Sequence, residues 1–311
     1  MTEPLFDTVA IIGLGLIGSS VARGIKARGL ARKVRGYDLS PEVRACASAL
    51  GFCDEIADAA GDAVADAGLV LIAVPAGATA QAVAAIAPRL EEGTIVTEVG
   101  SVKAAVIRQV VPLLPPGVAF IPGHPIAGTE HSGPDAGFAE LFEGRWCILT
   151  PCERSTELAV EKVASLWRAL GSQVETMVPE HHDIVLAITS HIPHLIAFNI
   201  VGTAADLEEV TQSEVIKFSA GGFRDFTRIA ASDPVMWRDV FLNNKEAVLE
   251  MLSRFSEDLA ALQRMIRWDD GEALLELFTR TRAVRRGIIE AGQDTASADF
   301  GRPHGDRKSV V

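Results

Sequence analysis

The chain has 311 residues, 48% hydrophobic and 23% charged, a globular composition that excludes wholesale disorder. At roughly 150 residues per domain this length suits two domains, each able to bury a sizeable core. Twenty-nine Lys and Arg against 41 Asp and Glu give a net charge of −12, which excludes a general binder of DNA or of an anionic membrane, since both need a basic face.

Seven short apolar runs read as strands: residues 9–12, 34–37, 69–74, 94–99, 119–121, 146–149 and 174–178. Helix-like stretches at 20–28, 41–49, 78–86 and 104–111 lie between them. This alternation predicts a mainly parallel sheet covered on both faces. Near residue 178 the pattern changes to 3.6-residue periodicity, over 182–202, 237–266 and 271–291. The expected fold is α/β followed by all-α: a doubly covered, mainly parallel sheet over 1–178, then a separate all-helical domain over 179–292. The polar tail at 293–311 is expected to be mobile. No run of about 18 apolar residues is read, so no transmembrane helix is expected, and no basic segment opens a signal peptide. Cys46, Cys53, Cys147 and Cys152 form no CxxC pair and are too sparse for a disulfide framework, which fits free thiols in a reducing cytoplasm.

The first motif is Gly13-Leu14-Gly15-Leu16-Ile17-Gly18, which follows the first strand and opens a helix. Gly13 suits a tight turn, Gly15 leaves room for a pyrophosphate, and Gly18 lets helix and strand pack closely. The backbone at Leu16 and Ile17 then offers N–H groups at the positive end of the helix. Asp38 ends the second predicted strand twenty residues after Gly18, the spacing of a carboxylate that holds a ribose. NAD is favoured over NADP, although Ser40 and Arg44 just downstream leave the choice open. The alternative is a glycine-rich turn with no ligand. Val74, Pro75 and Ser101 lie at further strand ends, where ligands sit in open α/β sheets. Ser101 suits helix capping equally well.

The second motif, His124-Pro125-Ile126-Ala127-Gly128-Thr129-Glu130-His131-Ser132-Gly133, follows the strand at 119–121. Pro125 forces His124 into an extended conformation. A histidine so held is a candidate general base, although a lone histidine is more often structural. The third motif is Ser190-His191-Ile192-Pro193-His194. Pro193 predicts a kink, and Ser190 and His194 share a helix face. A metal site is disfavoured because no third ligand accompanies the two histidines. A polar patch facing a ligand is the better reading. The fourth, Gly221-Gly222-Phe223-Arg224-Asp225-Phe226-Thr227-Arg228, places Arg224 and Arg228 on one expected helix face, with Asp225 in reach of Arg228. These arginines suit either carboxylate binding or surface ion pairing. Asp233-Pro234 then reads as a helix start.

In this order and combination the motifs resemble the prephenate/arogenate dehydrogenase family of tyrosine biosynthesis, over nearly the whole chain. The resemblance implies oxidative decarboxylation of a cyclohexadienyl dicarboxylate, with NAD taking the hydride and the ring becoming aromatic. It implies that His124 is the catalytic base and that Ser101 holds the same ring hydroxyl. Arg228 would bind a substrate carboxylate, with Arg224 beside it. His194, Glu130, Ser190 and Trp237 would line the substrate pocket. It further implies that 1–178 is a Rossmann-like dinucleotide-binding domain and 179–292 an all-helical substrate and dimerisation domain, in a cytoplasmic homodimer that binds neither nucleic acid nor membrane. Two departures are noted: Glu98 stands where the family commonly has Asp, and Arg224 where a relative has Lys. Fused relatives carry a chorismate mutase segment or a regulatory domain. Neither is expected here, so tyrosine inhibition would act at the active site. The competing readings are a 3-hydroxyacid-type dehydrogenase, which needs a helical lysine as acid/base, and a non-catalytic NAD-binding sensor.

Overall fold

The computed structural model describes residues 3–129, 131–211 and 220–290. Glu130 and the tail at 293–311 lie outside the described residues. The strands are β1 (Phe6–Ile12), β2 (Ala31–Tyr37), β3 (Glu55–Ile56), β4 (Leu69–Ile72), β5 (Ile95–Glu98), β6 (Ala119–Pro125), β7 (Trp146–Leu149) and β8 (Gln173–Thr176). They form one sheet in the order β3-β2-β1-β4-β5-β6-β7-β8. Neighbours are parallel except β6 and β7, which are antiparallel.

Most positions of the central strands are apolar because both faces are covered. Val9, Ile11, Leu69 and Leu71 face one core, and Ala10, Ile12, Val70 and Ile72 face the other. The helices of this half are α1 (Leu16–Arg28), α2 (Pro41–Leu50), α3 (Ala60–Ala63), α4 (Thr79–Ile86), α5 (Ala104–Val110) and α6 (Glu157–Ala169). Val21 and Ile25 of α1 and Trp167 of α6 close the first core, while Val83 and Ile86 of α4 close the second. Side-chain caps start two of them: Ser40 accepts from the Val43 N–H, and Thr156 from the Ala159 N–H. The short β3 and the helix α6 were not among the elements read from the sequence.

β6 is longer than its apolar run of 119–121 suggests. Antiparallel pairing with β7 carries it through His124, which lies opposite Ile148, to Pro125 opposite Cys147. His124 is thus a strand residue and not a loop residue.

After β8 the chain is helical. α7 (Pro179–Leu186) continues through a π turn, Ala187–His191, into α8 (Ile192–Thr211). The irregularity expected from Pro193 is this widened turn, on the side where the missing proline N–H leaves a carbonyl free. Then follow α9 (Gly221–Thr227), a 3-10 turn Arg228–Ala231, α10 (Pro234–Asn243), α11 (Lys245–Arg267) and α12 (Gly271–Glu290). The stretch expected as one helix over 237–266 breaks at Asn244, whose φ of −108° and ψ of 33° leave the helical region.

One expectation is corrected. The continuous helix Pro179–Leu207, with mean hydropathy 1.8, is long and apolar enough by length and composition to cross a membrane. Thr189, Ser190, His191 and His194 punctuate the run without lowering its mean enough. Its buried polar residues His182, Asp183 and His191 are hydrogen-bonded inside the protein, as in a core helix.

Candidate active site

Gly13 closes β1 with φ +96°, and a Cβ there would lie 2.4 Å from the Ala73 carbonyl oxygen. The turn therefore requires glycine. A Cβ on Gly18 would lie 1.9 Å from the Gly13 oxygen, so helix and turn touch through their backbones. A Cβ on Gly15 would meet nothing within 4 Å. That open space stands before the first turn of α1, where Leu16 and Ile17 begin the helix. Val74 packs against Gly13, and Pro75 follows it, so the end of β4 forms the second wall. The crevice lies between β1 and β4, where the strand order reverses, which is the site a dinucleotide takes in such sheets.

Asp38, just past β2, is fixed by two backbone donors: Leu14 N–H to Oδ2 at 2.8 Å and Ser40 N–H to Oδ1 at 3.0 Å. Each oxygen keeps a lone pair for a further donor. Arg44 donates to the Asp38 carbonyl at 2.7 Å.

At the C-terminal end of β6, His124 is 8% exposed. Its Nδ1 lies 2.9 Å from Nε2 of His182 on α7, and His182 Nδ1 lies 2.9 Å from Oδ1 of Asp183. The Asp183 carboxylate accepts the backbone N–H groups of Lys103 and Ala104, each at 2.9 Å. It thereby caps α5, the role that Ser101 was a candidate for. Burial alone would raise the Asp183 carboxyl, but these hydrogen bonds hold it below the usual carboxylate range. Burial pushes His124 well below its ordinary range, and His182, Lys103 and His191 add to the shift.

Beneath His124 lies a fully buried ion pair. Lys103 Nζ contacts Glu98 Oε1 and donates to the Gly123 carbonyl at 2.5 Å, while Glu98 Oε2 accepts the Gly100 N–H at 2.8 Å. Burial drives the lysine down and the glutamate up, and their mutual contact opposes both shifts. The pair ties the loop that carries Ser101 to the strand that carries His124. Lys103 is thus used as a strut.

The helical half supplies the opposite wall. His194 Nδ1 bonds the Ser190 carbonyl at 2.8 Å, and its ring stacks on Trp237 at 3.7 Å between centroids. His191 meets the same indole edge-on at 6.0 Å. Trp237 is buried in a small core with Val102, Ala105 and Val240, so it joins α10 to the Ser101 loop. Arg228 stands in the 3-10 turn, close enough to push His194 down further than burial alone. α9 ends at Thr227 and Arg228 opens the 3-10 turn that follows; both arginines are exposed. Arg224 is 79% exposed and pairs with Asp225, the partner expected for Arg228.

A chain of contacts thus runs from His124 through His182, Asp183, Asn244, His191 and Trp237 to His194, which bonds Ser190 and feels the charge of Arg228. Sequence reasoning missed His182, Asp183 and Asn244. Asn244 donates to the Asp183 carbonyl at 2.9 Å and lies 3.1 Å from His191 Nδ1. A buried neutral histidine, a hydroxyl and an arginine beside a dinucleotide crevice can remove a proton from a bound hydroxyl as hydride leaves its carbon.

Comparison with known proteins points the same way. Residues 21–176 match the family described as prephenate dehydrogenase, nucleotide-binding domain. Residues 178–280 match prephenate dehydrogenase, dimerization domain. The cyclohexadienyl dehydrogenase of Zymomonas mobilis is 44% identical over 284 residues, covering 91% of this chain and 97% of that protein. The prephenate dehydrogenase of Bacillus subtilis is 35% identical, covering 91% and 76%. The structure of Aquifex aeolicus prephenate dehydrogenase, in complex with hydroxyphenyl propionate and NAD+, superposes with a TM-score of 0.85 at 34% identity, covering 93% of this chain and 99% of that one.

Proposed function

The chain belongs to the prephenate dehydrogenase family, and we propose that it oxidatively decarboxylates prephenate, arogenate or both, with NAD as the hydride acceptor. The products are 4-hydroxyphenylpyruvate or tyrosine, with CO2 and NADH. The observation that carries this reading is the buried His124, held at the end of β6 by His182, in the same sheet whose β1 and β2 ends form the Gly13–Asp38 crevice.

Charge balance dictates what the residues must do. The bound nicotinamide supplies an acceptor for two electrons and a hydrogen. The substrate loses a hydride from its hydroxyl-bearing ring carbon and a carboxylate as CO2, and no net proton is released. His124 therefore takes the hydroxyl proton as hydride departs. It returns that proton to the ring oxygen once the C–CO2 electrons have aromatised the ring. Ser101 holds the hydroxyl in line with His124. Aromatisation drives the reaction, so the protein mainly contributes orientation and one proton acceptor.

Arg228 is assigned a substrate carboxylate, which a guanidinium can grip with two hydrogen bonds. His194 and Ser190 present polar atoms to the side chain, with Trp237 as the wall behind them. Glu130 is assigned to the same pocket by family resemblance and lies outside the described residues. Arg224, exposed at the rim, would attract the dianion without touching it. Gly13, Gly15, Leu16, Ile17 and Gly18 cradle the pyrophosphate, Asp38 takes the ribose, and Val74 and Pro75 flank the crevice. Gly15 fits that role because the space beside it is open.

The domain division near residue 178 follows the change from sheet to helices. We further propose that two chains pair through the helical half. Ile184, Ile188, Leu259, Ile266, Leu275 and Phe278 are exposed there at 43%, 48%, 45%, 65%, 68% and 57%, apolar side chains that a second chain could cover. The four cysteines are free thiols, which suits the cytoplasm. NADH formation from each substrate tests the assignment, and sedimentation at micromolar concentration tests the pairing.

A further inference from the structure

We infer that His182 and Asp183, presented by the helical half, are a positioning dyad that puts the proton of His124 on Nδ1 and leaves Nε2 as the basic atom. This rests on the reaction proposed above for its consequence, but not for its geometry.

The direction of each hydrogen bond follows from the one group with no proton to give. Both oxygens of Asp183 already accept backbone N–H groups, from Lys103 and from Ala104. Burial would raise this carboxyl, but its hydrogen bonds hold it below the usual carboxylate range, so Asp183 is ionised and an acceptor only. The 2.9 Å contact to His182 Nδ1 is then donated by His182. A neutral His182 with its proton on Nδ1 has a bare Nε2. The next contact, also 2.9 Å, must therefore be donated by His124 Nδ1. His124 Nε2 makes no hydrogen bond among the described residues, and it is the atom left to receive a substrate proton.

The opposite arrangement needs a charged His182 that donates from Nε2. His182 is fully buried, with Lys103 and the imidazole of His124 nearby, and burial holds it below its ordinary range. That environment favours the neutral ring.

The dyad also couples the two halves. Asp183 caps α5 at the end of the loop that carries Ser101, and Asn244 of the helical half holds the Asp183 carbonyl. Docking of the helical half thus sets the tautomer of the base and the position of the hydroxyl beside it through one carboxylate.

The test uses the full chain with 15N-labelled histidine and bound NAD. Long-range 1H–15N spectra read the protonated nitrogen of each of the seven histidines, and the His124→Gln spectrum assigns the signal. The expected result is His124 with Nδ1–H and bare Nε2. In His182→Leu that signal becomes a mixture of tautomers and kcat falls at least about tenfold, given that a wrong tautomer costs up to about 10⁴ in a serine protease. His182→Gln, whose Oε1 can still accept from Nδ1, recovers most of the loss, while NAD affinity stays unchanged in both. A wild-type His124 with Nε2–H overturns the inference, and so do equal kcat values for wild type and His182→Leu. The tautomer is read without substrate. A protein with no dehydrogenase activity would therefore defeat the reaction assignment and leave the dyad to stand or fall on its spectrum.

Discussion

The imidazole of His194 lies flat against the indole of Trp237, 3.7 Å between ring centroids and 24° from parallel. His194 is also pinned through Nδ1 to the Ser190 carbonyl, so its ring can neither turn nor slide. Trp237 is the more structural of the two, because it packs against Val102 and Ala105 beside the Ser101 loop. Trp237→Ala is expected to cost on the order of 3–5 kcal/mol, as for other buried aromatics, seen as a lower thermal midpoint. It should also raise KM, since His194 loses its backing. A variant with unchanged Tm would remove Trp237 from the core.

His124→Gln keeps a polar side chain but no proton acceptor of suitable basicity. It should lower kcat by about 10²–10⁴-fold, the usual share of general base catalysis. NAD affinity, measured by fluorescence titration, should stay the same, because His124 lies outside the Gly13–Asp38 crevice. Undiminished turnover would mean that another group takes the proton.

Asp38→Ala removes the acceptor proposed for the ribose and also frees the Leu14 and Ser40 N–H groups. NAD should bind more weakly, and the preference for NAD over NADP should shrink. Arg44 is already beside the Asp38 carbonyl and could meet a 2′-phosphate. An unchanged NAD:NADP ratio of kcat/KM would assign the ribose to another residue.

Arg228→Gln should act on KM for the dicarboxylate and leave NAD binding alone. A loss of about 2–5 kcal/mol is expected if substrate closes over the guanidinium and excludes water. The exposed Arg224→Gln should change kcat/KM far less, and its effect should fade with salt. Equal effects for the two would return both arginines to a merely electrostatic role.

Burial lowers His124, His182, His191 and His194 alike, His191 from 6.5 to about 4. A lowered folded-state value means that the unfolded chain binds protons first. The stability from the neutral rings is therefore complete above about pH 6.5 and is lost as pH falls from there towards 4. For His191 alone this is on the order of 3 kcal/mol, read as a falling Tm across that window. In catalysis, kcat/KM should rise with pH through the lowered value of His124 and then level off. His182, Lys103 and His191 face it and help burial hold that limb below the ordinary histidine range. A limb centred above 6.5 would contradict the buried neutral base.

The cofactor crevice was legible because its signal is local. Gly13, Gly15, Gly18 and Asp38 lie in one βαβ unit, where spacing fixes geometry. The strands of the central sheet were equally plain, since burial on both faces leaves most of their positions apolar. The catalytic arrangement was only half legible. His124 could be picked out beside Pro125, but its place inside β6 depends on pairing with β7, which no local pattern announces. His182 lies 58 residues from His124, on a helix that reads as ordinary amphipathic sequence. That Glu98 and Lys103 form a buried strut depends on the fold, which brings both under His124 and Gly123. Arg228 could be picked out by its motif, but no local pattern announces that it opens a 3-10 turn where α9 ends at Thr227.

The most direct test of the account is NADH formation by the purified protein with NAD and prephenate, repeated with arogenate and then with NADP. Turnover of one or both substrates is expected, faster with NAD, and it should be lost in His124→Gln. NAD binding without turnover of either substrate would contradict it and would make the His124 junction a binding site without this chemistry.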